Sequence, residues 1–139
     1  MIIVNDYVRD NGGRIGKVTK IDKALRFNLK TSDGELEIEN ILWLDTNYNF
    51  SDEKDTISED DVAASSSLLI DLVRVGDYVN GQKVLRIGLS LEYTDDDEET
   101  GVGEVNNGLE LENQFIYFSS QIKTVKTEQA REYEYKVSD

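Results

Sequence analysis

The chain contains no cysteine, no histidine and no proline. The missing cysteines exclude a disulfide framework, thiolate chemistry and a thiol redox centre. With histidine absent as well, Ser-His-Asp and Cys-His nucleophile machinery and ordinary zinc sites are excluded. Basic charge is scarce too. Only 15 Lys and Arg stand against 29 Asp and Glu, giving a formal charge of −14 over 139 residues. Such a field opposes the phosphate backbone and an anionic bilayer surface, so neither nucleic acid nor membrane is an expected direct partner. No run approaches the ~20 apolar residues that span a bilayer, and Met1-Ile-Ile-Val4 is too short for a signal peptide. The expected location is the cytoplasm. No catalytic residue, metal or cofactor is expected, and the composition points to a small acidic protein that acts by binding.

What the chain does have is strand pattern. Seven Tyr, four Phe and one Trp supply large side chains for a core. Arg14–Ile21 and Leu25–Leu29 read as strands, with Leu25, Phe27 and Leu29 on one face. Glu35–Glu39 alternates, and Ile41–Leu44 continues it as a buried segment. Asn11-Gly-Gly13 and Ser32-Asp-Gly34 are hairpin turn signals, since glycine accepts positive φ without penalty. Residues 51–67 are polar and acidic without a sustained period, which predicts a linker, with a short helix possible within 58–65. Thr127–Arg131 offers one helical turn started by Thr127, and Tyr133–Val137 alternates as a closing strand.

The pattern then repeats. Asp6-Tyr-Val8 is echoed by Asp77-Tyr-Val79, 71 residues on, each followed by a glycine turn and a strand. Gly34–Asn40 is echoed by Gly108–Asn113 at an offset of 73. A duplicated unit explains both echoes, and so does convergence of strand and turn chemistry. The expected architecture is mainly β, with at most one or two short helices. One unit is expected over 1–50, the acidic linker over 51–67, and a second unit over 68–139 with an acidic loop at 93–108. Four or five short strands with tight turns suit a small bent barrel. The Asp-Tyr-Val entry before a glycine turn looks like the first strand and loop of barrels of the Src-homology-3 type, here two in tandem.

Charge concentrates the functional signal. From Glu92 to Glu112 there are nine carboxylates and no Lys or Arg. Asp95, Asp96, Asp97, Glu98 and Glu99 form its centre, and Glu104, Glu110 and Glu112 extend it. These eight residues are the candidate partner-binding site. Such a row can replace phosphates in a basic groove, or it can be a solvated loop that maintains solubility. Glu35, Glu37 and Glu39 form a smaller ladder on one strand face, readable as negative surface or as the outer side of a half-buried strand. The basic run Arg14, Lys17, Lys20, Lys23, Arg26 and Lys30 reads either as a surface for an acidic partner or as a solvated face. Trp43, Phe27, Phe115 and Phe118 are expected in the core, with Tyr48 and Phe50 as exposed anchors.

Three chemistries fail on spacing or setting. Asp95-x-Asp97-x-Glu99 and Asp45-x-Asn47-x-Asn49 begin like calcium loops, but Thr100 and Phe50 stand where glycine is needed, and Asn106 and Thr56 where the bidentate Glu belongs. Paired carboxylates for glycoside hydrolysis need one acid desolvated in a cleft, whereas these lie crowded in polar sequence. Gly101-x-Gly103 lacks the third glycine and the strand-to-helix setting of a dinucleotide fingerprint.

Leu69–Val84, Ile122–Val137 and the pair Asn5–Arg9 with Gly13–Lys17 resemble small acidic proteins encoded by phages and prophages of Gram-positive bacteria. The resemblance covers about 40 residues, includes no catalytic residue and does not include Asp95–Glu99. It implies an inhibitor of host defence of the anti-CRISPR type, acting in the bacterial host cell during infection. The expected partner is the basic groove of a host nuclease such as a CRISPR effector, from which the carboxylates exclude DNA. The alternative is a non-enzymatic phage adaptor for replication or assembly. An edge strand on either barrel offers a route to a dimer, so monomer and dimer both stand open.

Overall fold

The computed structural model describes residues 1–27, 34, 36–46, 55–93 and 103–137. Among them the chain is mainly β, in two antiparallel sheets. The first unit comprises β1 (Tyr7–Asp10), β2 (Ile15–Phe27), β3 (Leu36–Asp45), β4 (Asp55–Ser58), the single-turn 3-10 helix η1 (Glu59–Asp61) and β5 (Val62–Ser66). After the 3-10 turn η2 (Leu69–Leu72), the second unit runs through β6 (Tyr78–Val79), β7 (Gln82–Glu92), β8 (Glu104–Leu111), β9 (Ile116–Tyr117), η3 (Ser119–Gln121), β10 (Thr124–Lys126) and β11 (Glu134–Lys136). The sheet orders are β4-β3-β2-β1-β5 and β11-β10-β6-β7-β8-β9. Neither sheet closes on itself among the described residues.

The two orders are one topology used twice, with β11 added to the second. The correspondence extends to hydrogen bonds. Asn5 (φ 78°) and Gly76 (φ 96°) each precede the Asp-Tyr-Val segment with a left-handed residue. Asn5 N–H donates to Val18 O, and Val18 N–H donates back to Asp6 O; Gly76, Val84 and Asp77 repeat both bonds. Immediately afterwards each long strand carries the same irregularity, between Val18 and Lys20 in β2 and between Val84 and Arg86 in β7. Past it, Ile21 faces Leu42 and Ile87 faces Leu109. The match makes Leu44, which faces Val18, the counterpart of Leu111, which faces Val84. The Asp-Tyr-Val echo is therefore a structural repeat. The echo of 34–40 in 108–113 is not, because the hydrogen-bond register aligns 108–111 with the latter half of β3.

The linker expectation is corrected. Residues 55–58 pair with β3, through Leu42 opposite Ile57, and residues 62–66 pair with β1. Ser58 starts η1 by accepting Asp60 N–H at 3.3 Å, so the short helix expected within 58–65 is a single 3-10 turn. Residues 51–54 lie outside the described residues. The helical turn expected at Thr127 is instead a non-helical turn, although Thr127 Oγ1 does accept Ala130 N–H at 3.2 Å. Arg14–Ile21 and Leu25–Phe27 fuse into one 13-residue strand.

Each unit has its own core. Val8, Val18, Leu42 and Ile57 are buried in the first; Val79, Val84, Leu109, Leu111, Ile122, Val125 and Tyr135 are buried in the second. Ile15 of β2 belongs to the second core, together with Leu69, Ile70 and Val73 from the connection. The halves are also joined by polar contacts. Arg9 is 1% exposed and donates from Nη1 to Asp77 Oδ2 at 2.5 Å and to Leu72 O at 3.0 Å. Its Nη2 reaches Asp77 Oδ1 at 3.3 Å and Gln129 Oε1 at 3.0 Å. Thr127 Oγ1 donates to Gly13 O at 2.6 Å, and Tyr7 meets Tyr135 edge-on at 6.2 Å. Gly13 (φ 88°) has no room for a methyl, because a Cβ there would lie 2.6 Å from Gln129 Cβ. The two units thus fold as an interlocked pair.

Candidate partner-binding surface

Among the described residues, Glu92, Glu104 and Glu110 lie on the two-stranded ribbon β7–β8, which the period-two alternation divides into two faces. One face bears Arg86, Gly88, Ser90 and Glu92 from β7 opposite Glu110, Gly108, Asn106 and Glu104 from β8. At its far end Glu92 and Glu104 stand directly across from each other, and Asn106 Nδ2 donates to Glu92 Oε1 at 2.9 Å. At its near end Arg86 Nη2 holds Glu110 Oε2 at 2.6 Å. Arg86 is 78% exposed in its side chain, so this pair contributes no more than about 1 kcal/mol. It nevertheless neutralises Glu110.

The expected site residues therefore separate. Asp95, Asp96, Asp97, Glu98 and Glu99 lie outside the described residues, in the sequence between Tyr93 and Gly103. Glu104 sits at the root of that segment beside Glu92. Glu110 and Glu112 lie at the other end of β8, six and eight residues away, or about 20 Å and more along the strand. Glu112 is exposed, and its N–H donates to Lys83 O. Of the supporting acids, the structure brings only Glu104 to the base of the acidic segment.

The opposite face of the same ribbon carries a feature that the charge pattern hid. Leu109 is fully buried and Ile87 half-buried, but beyond them Leu89 is 74% exposed, Leu91 54%, Val105 60% and Tyr93 47%. The alternation Ile87, Leu89, Leu91, Tyr93 is visible in the sequence and was the signal that could have found it. The first unit repeats the arrangement at the matching register: Leu25 faces Ile38 in β2–β3 as Leu91 faces Val105, and both are exposed. Leu25 lies past the end of the first core, on the ribbon's outer half. Phe27 and Leu29 side chains are outside the described residues.

Other expected sites resolve as follows. Trp43 is half-buried on the face opposite Leu42, where Nε1 donates to Asp22 Oδ2 at 2.8 Å and Lys20 Nζ lies 5.7 Å from the ring centre. Lys17 similarly lies over Tyr7 at 5.5 Å. Two lysines of the basic run are thus engaged with aromatic rings of their own unit. Phe115 is 66% exposed rather than core, because it follows a tight turn with Gln114 at φ 70°. Phe118 is half-buried. Glu39 accepts Ser58 Oγ at 3.1 Å, tying β3 to β4, while Glu35, Tyr48 and Phe50 lie outside the described residues. Among the described residues no group of three or more Asp or Glu is placed to hold a metal ion, and no helix is long and apolar enough to cross a membrane.

The concavities among the described residues are open and lined by side chains of both charges. One of about 410 Å³ is lined by Gly12, Arg14 and the 128–133 turn. Nothing in it places a nucleophile beside a base, which acyl or glycosyl transfer would need. In comparison with known proteins, no family model, no curated protein and no solved structure matches the chain.

Proposed function

We propose that this chain is a non-enzymatic, phage-encoded inhibitor of a host defence protein, occupying a basic nucleic-acid-binding groove and excluding DNA from it. The observation that carries the proposal is the run of nine carboxylates without a base in the sequence from Glu92 to Glu112, of which Glu92 and Glu104 stand opposite each other at the far end of the β7–β8 ribbon. Carboxylates in series meet Lys and Arg that otherwise neutralise phosphates, and a groove so occupied releases its counterions as it does for DNA. The net charge of −14 steers such encounters and repels nucleic acid itself. A CRISPR effector, with its positively charged channel, is the partner class that this chemistry fits, and the host cytoplasm is the matching compartment. We also propose that each unit is a bent barrel of the Src-homology-3 type. Five strands in the order β4-β3-β2-β1-β5, with a 3-10 turn before the last, support that reading.

Reversing Asp95, Asp96, Asp97, Glu98 and Glu99 to lysine is expected to abolish inhibition of DNA cleavage by a purified CRISPR nuclease. The melting temperature should not fall, because five reversals of +2 each bring the net charge of −14 to −4 and so relieve the repulsion of the whole chain. A titration of cleavage against inhibitor, beside a thermal melt of each variant, checks both halves. Undiminished inhibition by the reversed chain contradicts the mechanism.

The adaptor reading keeps one specific support. The exposed apolar pairs Leu25–Ile38 and Leu91–Val105 are surfaces of a kind that join proteins to proteins.

A further inference from the structure

We infer that the hollow over β6, β10 and β11 is a binding site for a small phosphate monoester that carries a flat ring. The inference does not rest on the role proposed for the acidic residues. The hollow has a volume of about 270 Å³ and is lined by Tyr78, Gly81, Lys126, Arg131 and Glu134. Strand register builds it. Lys126 of β10 stands across from Tyr78 of β6 on one side and Glu134 of β11 on the other, and Tyr78 in turn faces Lys83 of β7. Directly opposed residues of antiparallel strands share a face, so Glu134, Lys126, Tyr78 and Lys83 form one row across four strands. The alternate residues Val79, Val125 and Tyr135 are buried in the second core, which fixes the row on the outer face. Arg131 joins it from the turn between β10 and β11. At the other end β6 returns into β7 through Asn80 and Gly81, and a Cβ on Gly81 would meet nothing within 4 Å, so the mouth there is open.

Charge decides the ligand. Lys83, Lys126 and Arg131 stand with a single carboxylate, Glu134, and none of the four is in an ion pair among the described residues. Three cations against one anion leave a net +2 in a chain whose total is −14. A phosphate monoester, close to a dianion at neutral pH, matches that charge. The guanidinium of Arg131 offers a planar fork for two phosphate oxygens, and the Lys126 ammonium a point charge in a half-buried setting. Tyr78, also half-buried, supplies a ring face and a hydroxyl donor beside them, which selects an anion with a ring attached. The field of the rest of the chain limits the size. Charges are screened over about 8 Å at physiological salt, so an anion confined to the hollow answers to this row. A nucleic acid strand would run on past Glu128 and Glu132, which line the neighbouring hollow on the other side of Arg131. That larger hollow carries no such surplus, since Arg14 and Arg131 meet both glutamates there and Asp10 holds Arg14.

Isothermal titration of the full chain with phenyl phosphate, inorganic phosphate and phenol tests this. Phenyl phosphate is expected to bind with a Kd of about 1 mM or tighter, inorganic phosphate more weakly, and phenol not at all. Lys126→Gln with Arg131→Gln should weaken phenyl phosphate at least about tenfold, the scale of one charge-assisted hydrogen bond. Lys20→Gln with Lys23→Gln removes the same charge from exposed positions of the first unit and should leave the affinity unchanged. Tyr78→Leu should cancel the advantage of phenyl phosphate over inorganic phosphate. A thermal melt of each variant shows that it is folded; if the double variant melts early, Arg131→Lys, which keeps the charge and loses the fork, carries the same test. Equal weakening by the two double variants would reduce the effect to net charge and overturn the site. Equal affinity for phenyl phosphate and inorganic phosphate in the unaltered chain overturns the ligand class. Absence of binding by phenyl phosphate overturns the inference outright, and none of these results bears on the acidic residues.

Discussion

Replacing Asp77 by alanine is expected to destabilise the chain by about 3–5 kcal/mol, the loss typical when one partner of a buried ion pair is removed. Asp77 is 1% exposed and holds four donors: both terminal nitrogens of Arg9, Arg74 N–H at 2.8 Å and Glu128 N–H at 3.1 Å. Its loss leaves Arg9 charged inside the protein, with Leu72 O and Gln129 Oε1 as its remaining partners. Arg9→Ala should be comparably severe for the mirrored reason. Arg9→Met combined with Asp77→Leu should recover part of the loss, since neither buried charge is then unpaired. Asp6 supplies the internal control. It occupies the matching position in the first unit and accepts Ile3 N–H at 3.0 Å, but has no ion pair among the described residues. Asp6→Ala should cost about 1 kcal/mol, the worth of a hydrogen bond. Urea unfolding of the variants checks the ranking. Equal effects at Asp6 and Asp77 would show that the Arg9 pair contributes nothing beyond the local turn.

Leu42→Ala and Leu109→Ala should each remove about 2–5 kcal/mol, because both side chains are fully buried and their loss leaves cavities. The informative quantity is the coupling between them. Trp43, the only tryptophan, lies in the first unit next to Leu42, so its fluorescence reports unfolding there. Leu109 belongs to the second core, which also takes in Ile15 from β2 of the first unit. With Arg9 bound to Asp77 and Thr127 to Gly13, the account predicts one cooperative transition. Leu109→Ala should therefore lower the midpoint seen by Trp43 as far as it lowers the midpoint seen by far-UV circular dichroism. A Trp43 transition unmoved by Leu109→Ala would mean that the units unfold separately.

The fold was legible where apolar alternation was strong. Ile15–Ile21, Leu36–Leu44 and Val84–Ile87 show it plainly, and each lies in a long strand. The duplication was legible at Asp6-Tyr-Val8 and Asp77-Tyr-Val79, because an aspartate that caps the entry and a valine that enters the core are fixed in every copy. It was not legible at Gly34–Asn40, where a similar alternation sits at a different register, since period-two patterns match one another at many offsets. β4 and β5 were missed because strands of four and five residues, with Ile57 and Val62 as their large apolar residues, resemble a polar linker. Strand pairing stabilises them through the backbone, which the side-chain pattern does not record. The Arg9–Asp77 pair joins residues 68 apart, and nothing local marks it.

The candidate site was legible only in its charge. Composition located the acids, but sequence could not separate Glu104, next to Glu92, from Glu110, which Arg86 neutralises. Nor did it reveal that Leu89, Leu91 and Val105 outrun the core. An alternating strand looks the same whether its apolar face is covered or bare, and only the length of the ribbon relative to the packed body distinguishes the two.

Affinity capture on the immobilised full chain, from a Gram-positive lysate with an active CRISPR system, tests the central claim most directly when elution follows rising salt. The account predicts recovery of a basic, nucleic-acid-binding nuclease that leaves at moderate salt, as screening weakens the carboxylate contacts. Recovery of phage structural or replication proteins held through high salt would contradict the inhibitor and leave the adaptor in its place.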